Sequence, residues 1–121
     1  PMLEKGFGRI INTASQQAHK PAAGAAVYSA SKAAVVALTT AVAQEVAAKG
    51  VLINCVCPGP TDTATWRASD PEWRQWKQHQ LPIRRIARPE EIASSYVFLA
   101  SEEASFMVGQ SISPNGGDVS W

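Results

Sequence analysis

Tyr28 and Lys32 stand four residues apart in Val27-Tyr28-Ser29-Ala30-Ser31-Lys32. On a helix that spacing sets a phenol and an ammonium on one face, within reach of each other. A phenol of pKa ~10 is a poor acid–base catalyst near neutrality unless a neighbouring cation stabilises its phenolate, and Lys32 is such a cation. The spacing alone is also that of an ordinary surface pair, so its meaning depends on what else the chain brings to it. Ser15 closes the β-rich run Arg9-Ile10-Ile11-Asn12-Thr13-Ala14-Ser15. It therefore falls at the carboxyl end of a predicted strand, where open α/β sheets place their ligands. Taken alone, Ser15 reads equally as a capping hydroxyl.

The elements that must position these groups emerge from pattern. From Tyr28 to Lys49 the residues are strong helix formers, and Gly50 supplies a stop. Ala30, Ala33, Ala34, Ala37 and Ala41 form a small-residue face suited either to a sheet contact or to a subunit interface. Val51 to Cys57, apolar apart from Asn54, shows no period-two alternation and ends at Pro58-Gly59-Pro60. Such strands, separated by helices, predict a parallel sheet covered on both faces. Cys55 and Cys57 are the only cysteines; alternation points both to one face, and no further Cys completes a zinc set, so they read as small core residues and no metal site is expected. Residues 61–88 form an irregular piece carrying Trp66, Trp73 and Trp76. A piece of that length is a candidate substrate lid, or else Trp73 and Trp76 anchor a short amphipathic helix. Pro89-Glu90-Glu91 opens the next helix, whose inward stripe is Ile92, Tyr96 and Leu99, and a short strand with a glycine turn closes the pattern over Gly109 to Gly117. His19, between Ser15 and Tyr28, is expected to be a solvated loop residue.

Composition narrows the partners. The 121 residues fit one domain, and 45% hydrophobic content is that of a globular chain. A net charge of +1 with dispersed basic residues lacks a nucleic-acid footprint, although Arg84, Arg85 and Arg88 cluster locally. No stretch is expected to span a bilayer and the first residues do not form a secretory signal, so a cytoplasmic location is the default expectation.

Taken together, these motifs resemble the carboxyl-terminal half of the short-chain dehydrogenase/reductase family. Gly8 to Ser15 is similar to the strand that delivers the family's catalytic serine, and Tyr28-Ser29-Ala30-Ser31-Lys32 to its active-site signature. Asn54-Cys55-Val56-Cys57-Pro58-Gly59, Arg88 to Ala93 and Phe98 to Ser101 fit further family segments. The resemblance implies the fold class: α/β, a partial Rossmann-type parallel sheet of about three strands and two main helices, spanning residues 1–121 with a lid over 61–88. It implies a nicotinamide-dependent oxidoreductase acting on a small-molecule alcohol or carbonyl. Tyr28 would exchange the proton on the substrate oxygen, Ser15 would hydrogen-bond that oxygen, and Lys32 would bind the nicotinamide ribose and lower the Tyr28 pKa. Pro58, Gly59 and Pro60 would lie along the nicotinamide of NAD or NADP, with Thr61 and Thr63 at its carboxamide. The chain departs from the family pattern at Thr61, where Val or Ile is usual, at Asn115, where Asp is frequent, and at Arg84 and Ala87, where glycines are common.

The family's glycine-rich pyrophosphate turn and the Asn of its catalytic tetrad have no counterpart in these residues. The expectation is therefore that the isolated chain is inactive, and that it pairs an open sheet edge in a homo-oligomer or is a piece of a longer polypeptide. A second reading is a non-catalytic assembly module using the alanine face. A third takes Ser29 and Lys32 as the S-x-x-K of an acyl-enzyme, but S-D-N and K-T-G elements do not accompany it.

Overall fold

Every residue of β2 is buried, and the rest of the chain is arranged to cover it. The computed structural model describes residues 1–120. In chain order the elements are α1 (Met2–Lys5), β1 (Gly8–Thr13), α2 (Ala26–Val46), β2 (Val51–Val56), α3 (Ala64–Arg67), α4 (Pro71–Gln80), α5 (Pro89–Ala100) and β3 (Ser111–Ile112). The sheet order is β1-β2-β3, with both pairings parallel. Gly8 lies opposite Val51 and Thr13 opposite Val56.

The side chains of β2 alternate between two covers, as the pleat requires. Val51 and Ile53 pack with Ala43, Val42 and Val46 of α2, and Cys55 and Cys57 pack with Val35 and Val36 of the same helix. Val56 faces the other way, into Ile92 and Leu99 of α5. The doubly covered parallel sheet expected from the sequence is thus present, and both cysteines are free and point to one face.

Two sequence expectations need correction, and one open alternative is decided. Residues 61–88 are not irregular throughout: Thr63 caps α3, and Asp70 caps α4, whose start is favoured by Pro71. Of the two uses left open for the alanine face of α2, the sheet contact is not the one observed: Ala30, Ala33, Ala34, Ala37 and Ala41 all stand exposed, and none is among the residues that cover β2. The inward stripe is instead Ser29, Thr39 and Ala43 with the four valines. Finally, among the described residues one helix, Ala26–Lys49, is long and apolar enough by length and composition to cross a membrane, its most apolar 18-residue stretch having a mean hydropathy of 1.4. Its small and β-branched residues produce that value, yet its inward side is that of a helix laid on a sheet. Thr39 receives a hydrogen bond from Asn12 of β1 at 2.9 Å.

Glycine is required at the α2–β2 corner. Gly50 has φ 78, in the left-handed region, and an added Cβ would come within 2.0 Å of the Gly6 carbonyl oxygen. That close approach lets the Gly8 N–H bond the Gly50 carbonyl and sets the first rung of β1 against β2.

Candidate active site

Ser15 lies two residues beyond β1 because the ladder continues past the last strand residue: the Ala14 N–H bonds Val56 O and the Gln16 N–H bonds Pro58 O. Its backbone is extended, and its Oγ accepts the Gln17 N–H at 3.2 Å, capping the 3-10 turn Gln16–Ala18. Having accepted there, the hydroxyl keeps its own proton to donate. Tyr28 and Lys32 sit in the first two turns of α2. Ser29, between them and 4% exposed, donates to Gln17 Oε1 at 3.1 Å and fastens the start of the helix to the Ser15 loop. With its proton committed inward, Ser29 is placed as a brace and not as a nucleophile.

Lys32 Nζ reaches the carbonyl of Thr13, the last residue of β1, at 3.4 Å, and stands 5.7 Å from the centre of the Tyr28 ring. The i, i+4 spacing therefore holds an ammonium beside the phenol and anchors it to the strand end. Tyr28 is half-exposed, while Ser15 is buried.

Ser15, Tyr28, Lys32, Pro58, Gly59 and Pro60 all line one open cavity of about 700 Å³. It lies at the carboxyl ends of the parallel strands, the side on which open α/β sheets bind ligands. Gly59 enters its wall because nothing larger fits: a Cβ would approach Asn115 Cα to 2.6 Å. Asn115 is buried and its amide is fully used, donating to Ser113 Oγ at 2.9 Å and Val119 O at 2.8 Å and accepting from Gly117 N at 2.9 Å. The predicted Thr61 and Thr63 are not in that lining. Thr61 Oγ1 donates to Gly59 O at 3.0 Å, and Thr63 Oγ1 accepts the Trp66 N–H at 3.3 Å.

The far wall is aromatic. Trp66 and Trp73 rings lie 5.4 Å apart at 54°, and Trp76 joins them on the cavity. None of the α4 side chains is buried, so that helix is held from its ends and edges; Leu81, just past it, is 1% exposed.

Sequence reasoning did not find the charged cluster beside these rings. The Asp118 side chain is 2% exposed and receives Lys20 Nζ at 3.0 Å, Lys77 Nζ at 2.5 Å, and the Gln16 amide. Burial pushes the Asp118 carboxyl up, but the Lys77 and Lys20 ammoniums together with Gln16 outweigh it and hold the group below its ordinary value. Its members come from separate stretches of the chain, and no local pattern announces them. His19 also departs from expectation: it is half-buried, with Nε2 3.9 Å from Cys57 Sγ. Cys55 Sγ donates to Val56 O at 3.6 Å; the neighbouring Cys57 thiol and burial push the Cys55 thiol up, whereas Cys55 and His19 together outweigh burial and hold the Cys57 thiol below the usual range.

The chain matches a family model described as enoyl-(acyl carrier protein) reductase over residues 1–118. It is 44% identical over 116 residues to an acetoacetyl-CoA reductase of Allochromatium vinosum, covering 96% of this chain and 47% of that protein. It is 42% identical to the 3-oxoacyl-[acyl-carrier-protein] reductase FabG of Vibrio cholerae, covering 96% of this chain and 48% of that protein. Among solved structures, a proposed NAD(P)-dependent gluconate 5-dehydrogenase from Beutenbergia cavernae, with NADP bound at low occupancy, superposes with a TM-score of 0.90 at 39% identity, covering 97% of this chain and 48% of that one. The chain spans about half the length of the curated relatives it matches.

Proposed function

This chain belongs to the short-chain dehydrogenase/reductase family, and from that premise we propose that the protein carrying it moves hydride between NAD or NADP and a small alcohol or carbonyl compound, with Tyr28 as the acid–base group. The observation that carries the reading is the meeting of Ser15, Tyr28, Lys32 and the Pro58–Pro60 turn on one cavity. The names of the relatives, two reductases of oxoacyl thioesters and a proposed gluconate 5-dehydrogenase, support a carbonyl or alcohol substrate.

The residues present fit the nicotinamide–ribose end of such a cofactor. Pro58, Gly59 and Pro60 offer an apolar wall with bare backbone, and Lys32 and Tyr28 offer donors to ribose hydroxyls, whereas Thr61 and Thr63 stand outside the lining with their hydroxyls engaged on Gly59 O and the Trp66 N–H. When bound, the nicotinamide supplies or accepts the hydride. In reduction Tyr28 gives its hydroxyl proton to the substrate oxygen; in oxidation it takes that proton back. Ser15 donates to the same oxygen, its lone pair being held by Gln17. Lys32, tied to Thr13 O, is held beside the phenol. Residues 61–88 act as the substrate lid. The enzyme is cytoplasmic and homo-oligomeric, and the 121 residues alone do not turn over, since a pyrophosphate turn is not among them.

Tyr28→Phe in the complete protein tests the assignment. Turnover with NADH or NADPH over a panel of oxoacyl thioesters and keto acids falls by at least ~10²-fold, the usual worth of a positioned acid–base group. Nucleotide binding, followed by fluorescence, persists. A variant that keeps its turnover removes Tyr28 from the role.

A further inference from the structure

The lid end of the cavity is built to receive negative charge. Lys20, Lys32 and Lys77 line the cavity, and Asp118 is the one acidic residue among its described lining. Lys32 is committed beside Tyr28, which leaves two ammoniums on one carboxylate at the other end. The donor count there is lopsided. Lys20 Nζ gives two hydrogens to Asp118, one to its backbone carbonyl at 2.8 Å and one to Oδ1 at 3.0 Å, and keeps a third. Lys77 Nζ gives one and keeps two. Gln16 Nε2 gives one and keeps one.

This surplus is neither free to turn away nor fully solvated. The Asp118 carboxylate is buried and pins both ammoniums, Lys77 being 16% exposed at its side chain and Lys20 53%. Their unused N–H groups therefore stay at the cavity, on whose wall Ser15 also lies. A fixed group of donors with one uncompensated positive charge selects an anionic acceptor over a neutral one. Trp66, Trp73 and Trp76 beside it supply apolar faces for the body of the same molecule.

We infer that Lys20 and Lys77, held by Asp118, recognise an anionic group, carboxylate or phosphate, on the substrate, so that the enzyme acts on acidic carbonyl compounds in preference to neutral ones. The inference rests on the oxidoreductase reading above, and its test separates the two. In the complete protein, kcat/KM is measured for an oxo acid, its methyl ester and an oxoalkyl phosphate of matched length. The acid or the phosphate is preferred to the ester by at least tenfold, and whichever of the two leads names the anion. Lys20→Gln lowers that preference at least tenfold, whereas Lys20→Arg retains it within about threefold. Equal use of acid and ester by the wild type overturns the inference, as does an equal loss on both substrates in Lys20→Gln, which is the mark of a purely structural clamp.

Binding is read independently from tryptophan fluorescence without cofactor. Tighter binding of the acid or phosphate than of the ester, weakened at least tenfold by Lys20→Gln, upholds the site even where no carbonyl turns over. Equal binding of charged and neutral ligands, or no response to any of them, overturns it. Failure of turnover on every carbonyl with both nucleotides defeats the oxidoreductase reading separately.

Discussion

At the scale of single residues, the candidate site divides into groups that are neighbours in sequence and groups that are neighbours only in space. Tyr28 and Lys32 are coupled by one helical turn, so their relation is visible in the chain. Asp118 meets Gln16 and Lys20 across separations of 102 and 98 residues and Lys77 across 41, a relation the fold alone creates. Its electrostatics make a prediction with a definite sign. The folded carboxyl titrates below its ordinary value, so its contribution to stability is whole above the usual aspartate range and is lost as pH falls through the depressed folded value. Denaturant unfolding of the complete protein and of Asp118→Asn is therefore expected to show a wide gap in stability at pH ~6 that narrows steadily below pH ~4, near the unperturbed value of the group. A gap independent of pH removes the carboxylate's charge from the clamp. Ser15, Tyr28, Lys32 and the Pro58–Pro60 turn were legible because each is carried at the end of a regular element. The Lys20–Asp118–Lys77 cluster was not, since a lysine in a loop and an aspartate after two glycines carry no pattern of their own. His19 was misjudged for the same reason: its partner Cys57 lies just past another strand.

At the scale of elements, the corners decide how well the strands and helices carry the site. The apolar periodicity of α2 and β2 was plain in the sequence, but which face of α2 turned inward was not: valines and alanines are both apolar, and packing against β2 chose the valines. The corners obey backbone conformation more strictly. Gly50, at φ 78 and against the Gly6 carbonyl, admits no side chain, whereas Arg84 holds φ 61 with one. The left-handed backbone that Arg84 holds is one that glycine adopts without steric cost. Substitutions at the two corners therefore act in opposite directions. Gly50→Ala costs at least ~1–3 kcal/mol from the left-handed backbone alone, before the clash with Gly6 is added. Arg84→Gly relieves strain of that kind but gives the unfolded chain more freedom, so it stabilises by up to ~1 kcal/mol. Chemical denaturation of the complete protein checks both. A stabilised Gly50→Ala, or an Arg84→Gly no firmer than Arg84→Ala, contradicts the account. Asn54 splices β2 to its neighbour strand through its side chain: it donates to Met107 O and accepts from Gln110 N, both at 2.9 Å, and so steers the chain into β3 beside β2.

At the scale of the whole molecule, burial is uneven in a way that a three-stranded sheet cannot avoid. β2 is covered on both faces and paired on both edges, while among the described residues β1 is paired along one edge only, with β2. Ile10 of β1 is 37% exposed, and apolar side chains stand outward on the two main helices: Val27 and Leu38 on α2, Val97 and Phe98 on α5. An exposed strand edge next to apolar surface is a template for further pairing. Burying a side chain of this size contributes ~1.5–3 kcal/mol, so covering several of them is comparable to the entire stability of a small domain. The 121-residue chain prepared alone is accordingly expected to associate or to remain incompletely folded, and not to persist as a compact monomer. Sedimentation velocity across a hundredfold range of concentration distinguishes these outcomes: a rising or broadened coefficient marks association, and an expanded frictional ratio marks incomplete folding. A single compact species of 12.9 kDa at every concentration, with a cooperative unfolding transition, would mean that β2 and its two covers suffice. The open edge of β1 would then carry no energetic penalty for the fold.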